Sequence, residues 1–380
     1  MISLTDAVIA GNEWKYVKEC LDTTWISSAG KYVGQFEQMV AEFAGAKYGV
    51  ACMNGTAGLH LCLEMIGVSQ DDYVITPNIT FIATLNSIKY TGASPILIDV
   101  YADTWQMDVG LLKRFLEKDT EVRNGKLFLK KDNRRIKAIM PVHVLGNMTE
   151  MDELLELADI YHLDVVEDST EALGSSYKGK HAGNFGKFGV FSFNGNKIIS
   201  TGGGGVIVTN DEALAKRAKH LTTQAKVSRI DYIHDEVGYN YRLTNILAAV
   251  GVAQMEQLEG FIARKKFVNQ FYRTELGGIS DITFQKVNDH IDPNCWLFTF
   301  STAQMRPLLE YLNSNGVQCR PFWMPMNQLK MFKDDLYITE NNHASKVYDT
   351  CISIPCSSDI TDEELKTVVE KIKEFYKSIG

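Results

Sequence analysis

The segment IKAIMPVHVLGNMTEMDELLELADIYHLDVVED, residues 136–168, decides the fold class. Its apolar runs at 136–142 and 164–167 have the length of buried strands, and residues 150–161 between them repeat apolar side chains with the period of a helix. Two parallel strands need a crossover of a dozen or more residues, which this spacing supplies. The segment therefore predicts a βαβ unit.

The same alternation continues on both sides of that unit. Strands are predicted at 48–52, 73–76, 95–100, 188–193 and 205–209, and helices at 56–66, 81–90 and 109–117. Continuous apolar strands indicate a sheet with helices on both faces. No helical periodicity links the last two strands, so the strand at 205–209 is predicted to be antiparallel. The sequence thus predicts an α/β fold with a mostly parallel seven-stranded sheet.

The rest of the chain begins with helices predicted at 212–221 and 244–276. Beyond them, strands are predicted at 296–301 and 317–320 and a helix at 305–315, which predicts a second, smaller α+β domain. The charged segment 117–137 is interpreted as a solvated insertion or hairpin. The terminal helix opens with Thr361-x-x-Glu364, a capping box. We predict a large domain over residues 1–253 and a small domain over residues 254–380.

Composition limits the classes of function. The chain has 380 residues, 45% of them hydrophobic, and a formal net charge of −8, which argues against nucleic acid or an anionic membrane as the main partner. No apolar run approaches the length of a membrane span. The seven cysteines include no Cys-x-x-Cys pair, so neither a disulfide framework nor a metal site is expected. A cytoplasmic protein is predicted.

The motif Leu-Asp-Val-Val-Glu-Asp, residues 163–168, ends a predicted buried strand with two carboxylates. Ligands of open α/β sheets bind beyond the carboxyl ends of the strands. A buried carboxylate is costly unless a cationic group meets it. Asp168 could equally cap the turn that follows. This motif alone leaves the two readings open.

Lys197 closes the motif Phe-Ser-Phe-Asn-Gly-Asn-Lys, residues 191–197, and precedes four consecutive glycines. Lysine is the side chain that forms a Schiff base with a carbonyl cofactor, provided that it is held in a rigid, partly desolvated position. A surface lysine beside a flexible loop is the alternative. The small polar neighbours Ser192, Asn194 and Asn196 argue against it.

Gly55, Thr56 and Ala57 lie between a predicted strand and a predicted helix, where free backbone N–H groups form an anion site. The segment is neither a P-loop nor a G-x-G-x-x-G motif, so ATP and NAD lose support. Together with Lys197 and Asp168 it provides the amine, the acid and the phosphate cup that pyridoxal phosphate needs. Phe81 is available to stack on the ring, although in isolation it would be interpreted as a core residue.

Several motifs in this order resemble those of one family. They are TWISS (24–28), NGTA (54–57), TF (80–81), EDSTE (167–171), SFNGNK (192–197), GYNYR (238–242) and RPFW (320–323). The chain resembles the DegT/DnrJ/EryC1/StrS sugar-nucleotide aminotransferases, which are fold-type I enzymes that use pyridoxal phosphate and its amino form. The likeness covers nearly the whole chain.

The resemblance implies a role for each matching position. Lys197 would form the Schiff base and move the proton, and Asp168 would keep the pyridine nitrogen protonated. Glu171 would lie near the phenolic oxygen, where many relatives have Gln or His. Asn240 would reach the cofactor phosphate of a neighbouring subunit, so a homodimer is expected. The implied cofactor-binding residues are Gly55, Thr56, Ala57, Phe81, Asp168, Glu171, Ser192, Asn194, Lys197 and Asn240.

The finer likeness points to two branches, of which the first is the main prediction and the second the alternative. Residues 133–146, 220–226 and 234–242 resemble the C4-aminotransferases of bacillosamine and legionaminic acid biosynthesis, which implies transfer from L-glutamate to a UDP-linked 4-keto-6-deoxy-N-acetylglucosamine. Residues 25–28 and 103–107 resemble GDP-perosamine synthases, which implies a GDP-linked 4-keto-6-deoxymannose. Asn327 stands where relatives often have a histidine.

Candidate sugar-nucleotide contacts are Trp25, Ile26, Ser27, Ser28, His143 and Arg320. His143 follows a predicted strand and could equally be a satisfied core histidine. Two other functions are compatible with this fold. Some relatives are dehydratases in which a histidine replaces the lysine, and a non-catalytic sugar-nucleotide-binding protein would need no such amine. Lys197 disfavours both.

Overall fold

The computed structural model describes residues 1–228 and 230–379. The strands are β1 (Tyr48–Cys52), β2 (Asp72–Pro77), β3 (Ser94–Ile98), β4 (Thr120–Arg123), β5 (Lys126–Leu129), β6 (Arg135–Ile139), β7 (Asp164–Asp168), β8 (Ser176–Tyr177), β9 (Lys180–His181), β10 (Phe188–Ser192), β11 (Gly205–Thr209), β12 (Thr283–Phe284), β13 (Ile291–Asp292), β14 (Phe298–Ser301), β15 (Arg320–Pro321), β16 (Leu336–Ile338) and β17 (Cys351–Ile354).

The helices divide between the two faces of a large sheet and a smaller C-terminal unit. They are α1 (Glu13–Asp22), α2 (Lys31–Ala44), α3 (Gly55–Met65), α4 (Ala83–Tyr90), α5 (Val109–Asp119), α6 (Met151–Ile160), α7 (Glu212–Thr222), α8 (Asn245–Met255), α9 (Leu258–Leu276), α10 (Met305–Ser314), α11 (His343–Thr350) and α12 (Asp362–Ile379). Short 3-10 turns lie at Val144–Gly146 and Met326–Gln328.

The large sheet has the strand order β1-β11-β10-β7-β6-β2-β3-β16. Strand β11 is antiparallel to both of its neighbours, and the pairs from β10 to β16 are parallel. The α/β fold and the antiparallel β11 are thus confirmed, and all seven predicted strands lie in this sheet. Strands β4, β5 and β16 raise its total to ten, so the predicted strand number was too low. The charged segment forms the hairpin β4–β5, which pairs with β6 and confirms the hairpin interpretation. Strand β16 was not predicted.

Apolar layers cover both faces of this sheet. Val74 and Ile75 follow each other in β2, so their side chains point to opposite faces. Val74 is buried in a layer with Leu63 of α3, and Ile75 is buried in another with Leu112 of α5. This two-sided burial is why the strands read as unbroken apolar runs.

The smaller unit has a sheet of its own, ordered β12-β14-β17-β15. Val268 of α9, Leu308 of α10 and Val368 of α12 are buried against it in one core, which confirms the smaller α+β unit. Strand β16 nevertheless joins the large sheet, so the C-terminal part of the chain contributes to both. The boundary between residues 253 and 254 stays a prediction.

The single helix predicted over residues 244–276 is wrong, because it is two helices, α8 and α9, that meet at 60°. Gln254 and Gln257 at the break both donate side-chain hydrogen bonds to Glu13, at 2.6 and 2.8 Å. Among the described residues, no single helix is long and apolar enough to cross a membrane; α8 and α9 meet that test only as a bent pair, by length and composition.

Candidate active site

A cavity of about 510 Å³ opens where β7 and β10 end and the smaller unit approaches the sheet. Parallel strands bring their carboxyl ends to one edge, which is where the sequence placed the chemistry. The predicted residues that line this cavity are Gly55, Thr56, Phe81, Glu171, Ser192, Asn194, Lys197 and Arg320. The structure therefore brings most of the candidate cofactor site together.

The helix α3 begins at the cavity. The Asn54 side chain caps it by accepting the Ala57 backbone N–H at 2.8 Å, so the amide of Ala57 is engaged and Ala57 does not line the cavity. A Cβ on Gly55 would lie 3.0 Å from the Cβ of Ser192, and a Cβ on Gly205 would lie 2.6 Å from the Asn54 carbonyl carbon. The two glycines let these segments approach closely enough to form a cup.

Lys197 projects its amine into the cavity. Its side chain is 13% exposed, and Nζ lies 4.0 Å from Oε1 of Glu171 and 4.1 Å from the ring centroid of Trp296. Burial lowers the pKa of the Lys197 amine, while Glu171 and Asp168 oppose that shift. The structure thus meets the requirement for a desolvated, reactive lysine.

Glu171 is the acid next to that amine. Burial raises the pKa of its carboxyl to about 7, with Lys197 acting in the opposite direction. Oε2 accepts the Leu145 backbone N–H at 2.8 Å, and Leu145 has the left-handed φ of 61°. A carboxyl with this pKa can give or take a proton near neutral pH.

Asp168 ends β7 and is 2% exposed. Its Oδ2 accepts the hydroxyl of Thr84 at 2.7 Å, and its Oδ1 accepts the Thr170 backbone N–H at 3.2 Å. The Thr84 hydroxyl also lies 2.6 Å from that of Thr80. The Thr84 hydroxyl on α4 and the Thr170 backbone thus fix the orientation of the carboxylate.

The neighbouring Glu167 belongs to a different cluster. It accepts the backbone N–H groups of Phe185 and Gly186 at Oε1 and that of Gly183 at Oε2, at 2.5 to 2.9 Å. His143 lies 3.1 Å from the same Oε2 and is fully buried. His143 does not line the cavity, so the expectation that it faces the substrate is wrong. Its ring points into the core, where it contacts the buried carboxyl group of Glu167.

The donor set at this edge fits pyridoxal phosphate. A buried amine at Lys197, a fixed carboxylate at Asp168 and a helix start opposite Ser192 correspond to the cofactor's aldehyde, ring nitrogen and phosphate. A Cβ on Gly55 would require Ser192 to move by a few tenths of an ångström, so the glycine favours this close approach. Phe81 is 55% exposed and lines the cavity, so its ring is free to stack.

The remaining predicted residues lie elsewhere. Trp25 borders a separate hollow of about 280 Å³, where its carbonyl accepts the Asn245 side-chain amide at 2.7 Å. Ile26, Ser27 and Ser28 do not line the main cavity. Asn240 is exposed and also lies outside it. The roles of these residues stay predictions.

Sequence reasoning missed the aromatic wall that the smaller unit adds. Trp296, Phe322 and Trp323 line the cavity, and the rings of Trp296 and Trp323 are stacked with centroids 6.2 Å apart. The RPFW motif was a signal for two of them. Trp296 carried none, because only the packing of the smaller unit brings it to Lys197.

Asn327 and one polar cluster also lie outside this wall. The Asn327 backbone N–H donates to Oδ1 of Asn78 at 3.0 Å, and Nδ2 of Asn78 donates to Oδ1 of Asn327 at 2.8 Å. Asn327 is therefore held by Asn78.

The side chains of three titratable residues, His220, Asp235 and Glu236, lie close together outside the cavity, and Glu236 forms an ion pair with Arg217. The expected absence of a metal stays a prediction.

The family model for the DegT/DnrJ/EryC1/StrS aminotransferases matches residues 8–373. The chain is similar to a GDP-perosamine synthase of Escherichia coli O157:H7, at 37% identity over 371 residues, or 97% of this chain and 96% of that protein. It is similar to the UDP-4-amino-4,6-dideoxy-N-acetyl-beta-L-altrosamine transaminase of Campylobacter jejuni, at 30% identity over 366 residues, or 92% and 93% of the two chains.

A solved structure extends this likeness to the fold. S. venezuelae DesV, crystallised in complex with a ketimine intermediate, superposes with a TM-score of 0.87 at 26% identity. The match covers 97% of this chain and 95% of DesV.

Proposed function

The chain belongs to the DegT/DnrJ/EryC1/StrS aminotransferase family and is a pyridoxal phosphate-dependent sugar aminotransferase, and from this premise we propose that it moves an amino group from L-glutamate to the C4 keto group of a nucleotide-linked 4-keto-6-deoxy sugar. One observation carries the proposal. Lys197, with its lowered pKa, lies 4.0 Å from Glu171 in a cavity of about 510 Å³ that also includes Arg320.

Bound pyridoxal phosphate supplies a carbonyl that takes up and releases an amino group, and a ring that withdraws electrons from the carbon bearing it. The protein supplies the proton transfers. Lys197 holds or releases a proton at Nζ, and Glu171 can exchange one at its carboxyl because its pKa is about 7. Asp168, whose carboxyl is fixed by hydrogen bonds from Thr84 and Thr170, would hold the ring nitrogen.

The GDP-linked 4-keto-6-deoxymannose is the first candidate substrate. The likeness to a GDP-perosamine synthase is higher, at 37% identity, than the 30% to a UDP-sugar transaminase. Residues 103–107, one segment with this likeness, lie behind the site: the Trp105 ring packs with its centroid 5.7 Å from that of Phe322, which lines the cavity.

The UDP-linked 4-keto-6-deoxy-N-acetylglucosamine is the second candidate. The likeness at 133–146, 220–226 and 234–242 supports it. The hairpin β4–β5 lies away from the site, because Leu127 pairs with Ile136 at the start of β6, the end of that strand opposite the cavity. The hairpin therefore gives no information about the nucleotide.

A paired turnover assay tests the proposal. The enzyme is offered glutamate with either the GDP sugar or the UDP sugar, and formation of the 4-amino product is followed by mass spectrometry. We expect turnover of the GDP sugar at least tenfold faster. Preference for the UDP sugar would move the assignment to the second candidate. Turnover of neither by protein that carries cofactor would overturn the sugar class.

We also propose that the enzyme is a cytoplasmic homodimer whose subunits complete each other's sites. Asn240 and Trp25 lie outside the cavity of their own chain, which suits residues that act on a partner. The segment before Asn240 exposes large apolar side chains: Ile230 is 89%, Tyr232 88% and Val237 84% exposed. Apolar exposure of this extent is typical of an interface.

Subunit complementation tests the shared site. Lys197→Ala and Asn240→Ala subunits are each expected to be nearly inactive alone. Hybrid dimers would contain one intact site, so a 1:1 mixture should regain about a quarter of wild-type activity. If Asn240 serves its own chain, mixing restores nothing, and the proposed sharing is wrong.

A further inference from the structure

The Trp296 indole is held from three directions. Its backbone N–H donates to Oδ1 of Asn294 at 3.0 Å, and its Nε1 donates to the Asn196 carbonyl at 2.8 Å. Its carbonyl accepts the ammonium of Lys265 at 3.0 Å. Side chain and backbone are therefore both fixed, and the ring is 2% exposed.

The face of that ring meets the reactive amine. Nζ of Lys197 lies 4.1 Å from the ring centroid of Trp296, well within the range in which an aromatic face attracts a cation. The other charged groups around the amine are Glu171, at 4.0 Å, Asp168, and Arg320 on the cavity lining. The indole provides the apolar side of this environment.

Lys265 is a second buried lysine, on α9, and the reaction has no use for it. It is 1% exposed and donates to the carbonyls of Trp296 and Cys356, at 3.0 and 2.6 Å. Among the described residues no carboxylate pairs with it. Burying an ammonium without a counterion is costly. The Trp296 carbonyl lies just before β14 and the Cys356 carbonyl just after β17, and these two strands pair with each other. By binding both carbonyls, Lys265 fixes the segment that carries the Trp296 indole.

We propose that Trp296 is a catalytic residue whose indole face receives the Lys197 amine whenever that amine is not bound to the cofactor, and that Lys265 is a positioning residue for Trp296. Transamination requires Lys197 to leave the cofactor and later return to it. An amine held at the ring stays within reach, with its charge stabilised against burial. The inference rests on the proposed function in one respect, that Lys197 is the reacting amine.

The test measures the pKa of the Lys197 amine in cofactor-free protein. Competitive acylation is run across a pH series, and the labelled fraction of the Lys197 peptide is read by mass spectrometry. Trp296→Leu removes the aromatic face, whereas Trp296→Phe keeps one without Nε1. We expect the amine pKa to be about one unit lower in the leucine variant than in the phenylalanine variant. An equal or higher pKa in the leucine variant would overturn the role of the ring.

Lys265 is tested by Lys265→Met, with Lys266→Met as the matched control. Lys266 is the next residue on the same helix and pairs with Asp292 at the surface. Lys265→Met should lower the Lys197 pKa in the direction of Trp296→Leu, and the control should leave it unchanged. A lower unfolding midpoint with an unchanged Lys197 pKa would show a purely structural lysine. If Lys265→Met does not fold, Lys265→Gln, which keeps one donor, is measured in its place.

These readouts separate the inference from the proposed function. They use neither sugar nor cofactor, so they stay interpretable if both sugar nucleotides fail in the turnover assay. Conversely, an enzyme that turns over either sugar while the two Trp296 variants share one Lys197 pKa keeps its function and loses this inference.

Discussion

Two buried clusters lie on either side of the end of β7, and they differ in how far their polar groups are satisfied. In the first, which we call the Glu167 cluster, the carboxylate accepts three backbone N–H groups and the contact from His143. In the second, the Lys197 cluster, the Glu171 carboxylate accepts one backbone N–H, from Leu145, within the described part of the chain. A satisfied carboxylate fixes structure, and one with spare capacity remains able to exchange a proton.

The largest effect is expected from Lys197→Ala. The amine is the group that links to the cofactor, so amino transfer should fall about 10⁴-fold, and the absorbance band of the linked cofactor should disappear. The folded state should be retained, because the change removes a costly buried charge. Turnover and absorbance spectra check the first point and circular dichroism the second. If this variant unfolded, the Lys197 cluster would have a structural role like that of the Glu167 cluster.

Glu167→Gln should produce the next largest effect, on stability rather than on chemistry. The amide nitrogen cannot accept the backbone N–H groups that one carboxylate oxygen now accepts, so the free energy of unfolding should fall by about 3 kcal/mol. Urea unfolding measures it. The variant that remains folded should keep the cofactor spectrum of the wild type. A strong loss of turnover with unchanged stability would contradict the division between the two clusters.

Glu171→Gln sharpens the comparison through pH. The folded protein keeps the Glu171 proton up to about pH 7, whereas an ordinary glutamate releases it near 4.5. The folded state therefore binds more protons between these values, and the free energy of unfolding should fall as the pH rises from about 4.5 to about 7, then level off. Over this slope the free energy of unfolding of the cofactor-free protein should fall by about 3 kcal/mol in total.

The variant should lack that slope, and urea unfolding at a series of pH values measures it. Glu153→Gln, an exposed change on α6, is the matched control and should keep the slope. Parallel pH profiles for Glu171→Gln and the wild type would show that Glu171 does not hold its proton in the folded state.

The two clusters also show how far sequence reasoning reached. Continuous apolar runs marked the seven strands, but β16 is only three half-buried residues and gives no such signal. At the break between α8 and α9, Gln254 and Gln257 donate hydrogen bonds to Glu13, which lies more than 240 residues away. Such long-range contacts leave no local pattern.

The site divides in the same way. Strand-end logic found Asp168 and Lys197, because chain order alone places them at one edge of the sheet. It could not tell that His143 turns toward Glu167, nor that the smaller unit brings Trp296 to the amine. Both facts are decided by tertiary packing, which no local sequence pattern records.

The smallest effect is expected at the surface, where water can replace a lost partner. Oε2 of Glu364 accepts the Thr361 backbone N–H at 2.9 Å, and the Thr361 hydroxyl accepts the Glu364 backbone N–H at 3.2 Å, which is the capping box predicted from the sequence. Thr361→Ala should lower the free energy of unfolding by about 1 kcal/mol and leave turnover unchanged, and Thr361→Ser should restore the loss. Thr361→Ala and Glu167→Gln both deprive backbone N–H groups of a side-chain acceptor, one at the surface and one in the core. Urea unfolding of the two variants therefore compares the free-energy cost of the same loss in exposed and buried surroundings. An equal loss of unfolding free energy in the two variants would mean that burial does not determine how much the Glu167 cluster contributes to stability.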